Sequence, residues 1–396
     1  MSVPTPFHER TEQLCTSRLW KDWGGYFAVS SYESCHEQEY FAYRHSAGLL
    51  DATPLFKYEV HGPEALAFLC RVMAKDIRKL EIGQVVYCCW CDDRGKVLDD
   101  GTVTRIEEDH YRVTAAEPSL HWFQLNAHRF DVRIEDSTSR FGILALQGPL
   151  SREILRHAIG GGIDDLKFFW AARADLAGCD VMVSRTGYTG DLGYEIWCEN
   201  RDALLVYDTL TEAGRNYRML PAGLAALDVA RLEAGFVMNG VDYFSANHCI
   251  IESRKSNPYE IGLGWTVDLE RDPFIGQAAL RQVKRDGPAW KLFGLEYDWE
   301  ALERLFAEHD LPPQTPHGAW RTPLPVYAAS GNQVGQATSG TWAPTLKKNI
   351  ALASIEVDRA AVGTTLQIEV TVEYERQKTP VVVSTPRFFD PQRKRV

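Results

Sequence analysis

Three stretches of the 396-residue chain carry residue types and spacings that could do chemistry. The first is YCCWCDDRGKVLDDGTV, Tyr87 to Val103. Asp99 and Asp100 fall in a strand-like part of it, where alternation sends one carboxylate to each face. A carboxylate held in a cavity can manage a proton or stabilise a cation; an exposed acidic pair at a bend is the plainer alternative. Cys88, Cys89 and Cys91 suggest a metal, but a structural zinc needs four ligands in paired spacings and no second cluster follows. Buried thiols are the better reading and no metal is expected, with Cys89 and Cys91 on one face of the strand and Cys88 on the other.

The second stretch, SRTGYTGDLGYEIWC (184 to 198), spaces Gly187, Gly190 and Gly193 around Asp191 and Glu195. Spaced glycines can cradle a phosphate, but a dinucleotide loop opens a helix and a phosphate loop needs Gly-Lys-Ser/Thr. This one runs into an apolar strand, so the nucleotide reading fails and a glycine-rich hairpin remains. The third, PAGLAALDVARLEAGFVMNGVDY (221 to 243), puts Arg231 and Glu233 on a helical stripe, ordinarily a solvated ion pair worth under about 1 kcal/mol.

The elements that must position these residues follow a repeat. YEVHGPEALAFLCRVM (58 to 73) and LALQGPLSREILRHAI (144 to 159) each read as an apolar strand, Gly-Pro, then a helix, with Pro63 and Pro149 suited to the first helical turn. Leu66, Leu69, Val72 and Met73 form the first apolar stripe. Strands are predicted at 85–93, 96–106 and 110–116, then a helix over 118–128 and a strand at 131–136. After the second copy come strands at 180–186 and 193–198 and a helix over 202–213. This duplicated order predicts an α+β fold with antiparallel sheets in residues 1–273. From about residue 274 a charged helix, a Pro/His-rich stretch and short punctuated strands predict a separate small β-barrel or sandwich, 274–396.

Composition narrows the partners. Lys and Arg total 43 against 54 Asp and Glu, a formal charge of −11 with no dense basic run, which argues against nucleic acid. The opening MSVPTPFHERTEQLC has no signal-peptide core, and no stretch reaches roughly 18 uncharged apolar residues, so a cytoplasmic protein with no membrane role is expected. Nine cysteines, an odd number at low density, suit reduced thiols.

Taken together, the two strand-GP-helix units, GKVLDDGTV, ALQGPLS, RTGYTGDLGYEI, PAGLAALDVARLEAGF, PYEIGLGWTV, PFIGQAAL and VGQATSGTWAPTLKKNIALA resemble the glycine-cleavage T-protein (aminomethyltransferase) family, in order from about residue 40 to 390. The resemblance implies a cloverleaf of three subdomains around a channel that binds tetrahydrofolate. It implies that Glu195 receives the pterin's 2-amino and ring N–H donors, a task suited to an acceptor-only carboxylate. By the same resemblance Asp100 is the active-site aspartate, and Tyr87, Tyr188 and Arg231 contact the folate, with Arg376 as the C-terminal arginine.

The chain also departs from that family. Where T-proteins read D-V-S-H-M, it has DATPL; Leu227 replaces the first arginine of the R-D-x-x-R-L-E helix; and the link VDYFSANHCIIESRKSN is longer than usual. The first expectation is therefore a demethylase that moves a methyl group from a small methylated donor to N5 of tetrahydrofolate. Tyr243, Phe244 and His248 in the link, with Trp90, are candidates for the donor pocket, since aromatic faces hold methylammonium or sulfonium cations. The alternatives are the aminomethyltransferase of glycine cleavage, which needs a lipoyl carrier protein, and a non-catalytic folate-binding protein. An oxidase, where one takes part, would be a separate subunit.

Overall fold

A computed structural model describes all residues, Met1 to Val396. The duplication predicted from the two Gly-Pro units is present in the topology. The first copy runs through strand Phe56–His61, helix Ala65–Val72, strands Val85–Cys91, Val97–Glu107 and His110–Ala115, helix Leu120–Ala127 and strand Arg133–Asp136. The second runs through strand Phe141–Gln147, helix Ser151–Ile159, strands Ala171–Leu176, Cys179–Ser184 and Gly193–Glu199, helix Ala203–Gly214 and the short strand Leu220–Pro221. In each sheet the three consecutive strands form a meander whose last member pairs with the first strand of the copy. The sheets differ in one respect: Gly48–Asp51 is wedged between Phe141–Gln147 and Leu220–Pro221 in the second.

The glycine of each Gly-Pro pair does the same work. Gly62 has φ +130° and Gly148 φ +131°, and an added Cβ would come within 2.6 Å of the carbonyl oxygen of Asp131 or Ser46. Only glycine allows the chain to leave the strand at that angle with a neighbouring backbone so close. The helices start at Ala65 and Ser151, two residues beyond the prolines, so Pro63 and Pro149 form the turn rather than the first helical turn. On the first helix the buried stripe is Ala65, Phe68, Leu69 and Val72, with Leu66 partly buried; Phe68 was not in the expected set.

A pseudo-twofold relates the copies. The backbone N–H of Val85 donates to the carbonyl of Phe169 (2.8 Å) and that of Ala171 donates to Gly83 (2.7 Å), equivalent positions exchanged. Helices cover one face of each sheet, forming the two largest apolar cores. The helix-free faces approach each other: the Arg112 guanidinium of the first sheet lies 4.3 Å from the Phe141 ring and 5.1 Å from the Trp197 ring of the second.

The third unit is a closed six-stranded antiparallel barrel, Trp290–Tyr297, Leu324–Tyr327, Gln333–Ala343, Lys348–Glu356, Thr365–Val372 and Glu375–Ser384. Helix Gln277–Asp286 precedes it and packs Leu280 into a core shared with Cys89, Cys91 and Val97 of the first sheet. Helix Leu224–Ala234 is the hub of the three units, in contact with helix Glu37–His45 and with barrel strand Gln333–Ala343. Its Arg231 and Glu233 are fully buried rather than a solvated pair, and each is bound elsewhere. Arg231 pairs with Asp228 (2.8 Å) and Asp242 (2.6 Å), and Glu233 with Arg44 (2.6 Å). Enclosure by neighbouring units makes those partners obligatory, because an unpaired charge there would cost several kcal/mol. No helix is long and apolar enough to cross a membrane.

Candidate functional site

Strand alternation decides which side chains of the first sheet reach the face opposite its own two helices. Tyr87 and Cys89 point there and pair in register with Thr102 and Asp100, so Tyr87 and Asp100 are diagonal neighbours. Gly101 follows because strand His110–Ala115 crosses closely: an added Cβ would lie 1.9 Å from the Thr114 carbonyl oxygen. The Tyr87 hydroxyl donates to Asp100 Oδ2, and the Tyr243 hydroxyl donates to Oδ1. Tyr87 is itself stacked on the half-exposed Trp265, ring centroids 5.8 Å apart and 20° from parallel. The structure thus brings together Asp100, Tyr87 and a tyrosine from the unusual link.

Tyr243 is held there by Arg231. Through Nη1 that arginine grips Asp242, which also accepts from Thr338 and Ser339 of the barrel (2.6 Å each). Arg231 Nη2 is buried without a partner. Arg231 therefore couples hub, link and barrel, and its placement sets that of Tyr243.

Asp99 is the residue whose importance the sequence understated. It is 1% exposed, accepts from Asn239 Nδ2 and the Glu117 backbone N–H (2.9 Å each), and lies 3.5 Å from the Tyr243 hydroxyl. Burial, reinforced by the charge of Asp100, pushes its carboxyl up to about 8. Burial raises Asp100 too, while donation by Tyr243 and Tyr87 works against it. Two tyrosine donors favour ionised Asp100, so the proton the pair retains near neutrality sits on Asp99. Folded Asp99 holds its proton more tightly than an unfolded aspartate near 3.9. The stability Asp99 contributes is therefore fully present below about pH 4 and declines as pH rises towards 8. We expect Asp99→Asn to flatten that decline in thermal melts between pH 5 and 9; an unchanged slope would refute the assignment.

Glu195 comes from the second sheet, on the face it shares with Trp197. Its Oε2 accepts from Thr186 Oγ1 (2.6 Å) and Ser184 Oγ (3.5 Å), while Oε1 has no protein partner and stays accessible. Burial nevertheless raises its carboxyl above the usual range, so it lines a recess rather than open surface. Tyr188 lies on the loop just before the strand that carries Glu195. It packs against the cluster containing Trp197 and Leu227, donates to the Val237 carbonyl, and feels the charges of Arg231 and Asp100.

The remaining candidates lie elsewhere. Trp90 is fully buried among the apolar residues beneath the helices, 5.5 Å from Phe123, because it shares the helix-covered face with Cys88. It is packing, not part of a donor pocket. His248 is exposed at the rim, with Nε2 4.0 Å from Glu117, and Phe244 is also exposed. Arg376 sits near the turn of the last barrel hairpin, 81% exposed and 3.7 Å from Glu369, so it does not join the recess. The C-terminal cation that reaches the second sheet's glycine-rich loop is Arg393, whose Nε and Nη2 donate to the two carboxylate oxygens of Asp191 at 2.7 Å each. Sequence reasoning missed it because a basic tail carries no register. The nine cysteines are all free, and Cys88, Cys89 and Cys91 are buried with the expected alternation of faces.

Residues 7–271 match the family described as "GCVT N-terminal domain" and residues 313–390 the "Glycine cleavage T-protein C-terminal barrel domain". An aminomethyltransferase of Symbiobacterium thermophilum is 35% identical over 401 residues, covering 98% of each chain. One from Bacillus pumilus is 32% identical over 373 residues, 93% of this chain and 94% of its own. A trimethylamine-oxide aldolase of Ruegeria pomeroyi is 32% identical along the whole of this chain, which spans 48% of that protein. Among solved structures, aminomethyltransferase T of the Bartonella henselae glycine cleavage system superimposes with a TM-score of 0.83 over 98% of this chain and 99% of its own, at 24% identity.

Proposed function

The chain belongs to the glycine-cleavage T-protein family, a family of folate-dependent enzymes, and on that premise we propose that it is an aminomethyltransferase passing a one-carbon unit to tetrahydrofolate. The observation that carries the reading is that the two acids stand on the faces of two sheets that pack towards each other. Glu195 has a free acceptor oxygen, and Asp100 is held by two tyrosines. The aminomethyltransferases at 32–35% identity support this donor over the demethylase that the link and the missing histidine suggested.

The residues fit tetrahydrofolate. Glu195 Oε1 is an unfilled acceptor beside hydroxyl-anchored Oε2, as a two-donor pterin edge requires. When bound, the folate supplies a secondary amine that accepts the carbon. The protein's part is positioning and charge. Glu195 fixes the ring edge, and ionised Asp100 offsets positive charge as the carbon leaves its donor nitrogen and can accept the amine proton. Alignment of this kind contributes several kcal/mol to rate. Asp99, already protonated, leaves Asp100 as the available base.

A second reading keeps the same folate site but takes a small methylated amine as donor. Tyr243, brought by the long link to Asp100, and Leu227 in place of the usual arginine favour it. It rests also on the likeness to the trimethylamine-oxide aldolase, of which this chain spans 48%. The test is incubation with tetrahydrofolate and either an aminomethyl-lipoyl carrier protein or a panel of methylated amines, with products resolved by mass spectrometry. Methylenetetrahydrofolate formed only with the carrier supports the first reading. Methyltetrahydrofolate from a small donor alone moves the assignment to the second, and no folate product from either removes both.

A further inference from the structure

We propose that Glu59, His61 and His110 form a binding site for a divalent transition metal of the zinc type. The site lies on the first sheet's helix-free face, at the opposite end of strand Val97–Glu107 from Asp100, roughly 20 Å along the strands.

Register builds the cluster. Glu59 and His61 are two apart on one strand and share a face, and His110 and Arg112 stand directly opposite them on the next strand. The imidazoles of His61 and His110 are stacked, centroids 3.9 Å apart and 25° from parallel. His110 Nε2 is 2.6 Å from Glu59 Oε2, and one ligand atom from each of the three residues lies within 4.8 Å of the others. Two nitrogens and a carboxylate oxygen are a set zinc accepts at about 2.0–2.2 Å, with water completing a tetrahedron.

The surroundings are those of oriented ligands. Glu59 Oε1 accepts from Arg112 Nε (2.6 Å) and Ser137 Oγ (3.2 Å), which turns Oε2 towards the histidines, as outer partners do at metal centres. The other nearby cations are engaged: Arg140 with Glu199 (2.8 Å), Arg173 with Asp180 (2.7 Å) and Arg133 with Glu135. Glu59 is 4% exposed and His110 20%, so the ligands are fixed while an ion can enter.

The duplication supplies an internal control. The pseudo-twofold places Ala145, Gln147 and Gly193 where the first copy has Glu59, His61 and His110, with Gln147 paired to Gly193 as His61 is to His110. There the Gln147 side chain lies over Gly193 and donates to the Thr186 and Tyr194 carbonyls, a purely structural seam. The fold is thus satisfied without ionisable groups at these positions, and the glutamate with two histidines is particular to the first copy.

The test uses full-length protein stripped with a chelator. Titration with Zn2+ is expected to give one equivalent at micromolar affinity or tighter, with a rise in melting temperature. His61→Asn and His110→Asn should each weaken binding at least about tenfold while melting normally without metal. Substitution with Co2+ should show nitrogen/oxygen ligation and no thiolate charge-transfer band, separating this site from the nine cysteines. No stoichiometric zinc, binding undiminished in the double variant, or a thiolate band would each overturn the proposal and leave the trio a hydrogen-bonded ion pair beside a stacked ring. Folate binding measured alongside keeps this outcome separate from that of the folate reading.

Discussion

Asp100→Asn is expected to lower turnover about 10²- to 10⁴-fold, the range over which a positioned proton-transfer group acts, while tetrahydrofolate affinity stays within about tenfold. Asparagine keeps the shape and one acceptor oxygen, so one tyrosine can still donate and the other must rotate to accept from the new amide. What disappears is the negative charge beside the carbon in transit and the base for the amine proton. Single-turnover rates with calorimetric folate binding separate these terms. Equal loss of binding and turnover would mean that Asp100 is a folate-holding residue, and no loss in either would remove it from the site. Asp99→Asn provides the contrast: it keeps ionised Asp100 and should change the pH profile more than the maximal rate, because it removes the neighbour with which Asp100 shares a proton.

The parts of this site that could be read from sequence are those that alternation and punctuation encode. The Gly-Pro pairs revealed the duplication because a glycine at φ near +130° beside a neighbouring backbone leaves a residue-type signature. Tyr87 and Asp100 lie on adjacent strands joined by a short turn, so their common face follows from register. Contacts made across units left no such trace. Arg231 reads as a surface helix residue until the barrel, through Thr338 and Ser339, closes over Asp242. Asp99 looked like the lesser of a pair because nothing local announces Asn239 and the Glu117 amide as its partners. Trp90 was misjudged for the opposite reason: one position out of phase with Tyr87 and Cys89, it follows the strand period into the core, where the helices cover it. Arg376 failed because hairpin tips carry cations for solubility as readily as for binding.

Glu195→Gln should separate binding from chemistry in the other direction, weakening tetrahydrofolate about 10- to 100-fold, the equivalent of roughly 1.5–3 kcal/mol for hydrogen bonds to a charged acceptor, with turnover at saturation largely kept. The carboxylate offers two acceptor oxygens to a two-donor ring edge. Glutamine offers one and sets its own N–H against the second donor. Thr186 and Ser184 can reorient to accept, so the local fold survives. The raised carboxyl adds a pH signature: free Glu195 holds its proton above the usual carboxylate range, and only the ionised form accepts from both donors. Folate affinity should therefore fall as pH drops through that raised value in the native protein and show no such fall in the Gln variant. Calorimetry across pH 4.5–8 in buffers of differing ionisation enthalpy reads both the affinity and the proton released. An unchanged dissociation constant in Glu195→Gln would move the pterin edge elsewhere in the recess, and with it the orientation that puts the accepting nitrogen beside Asp100.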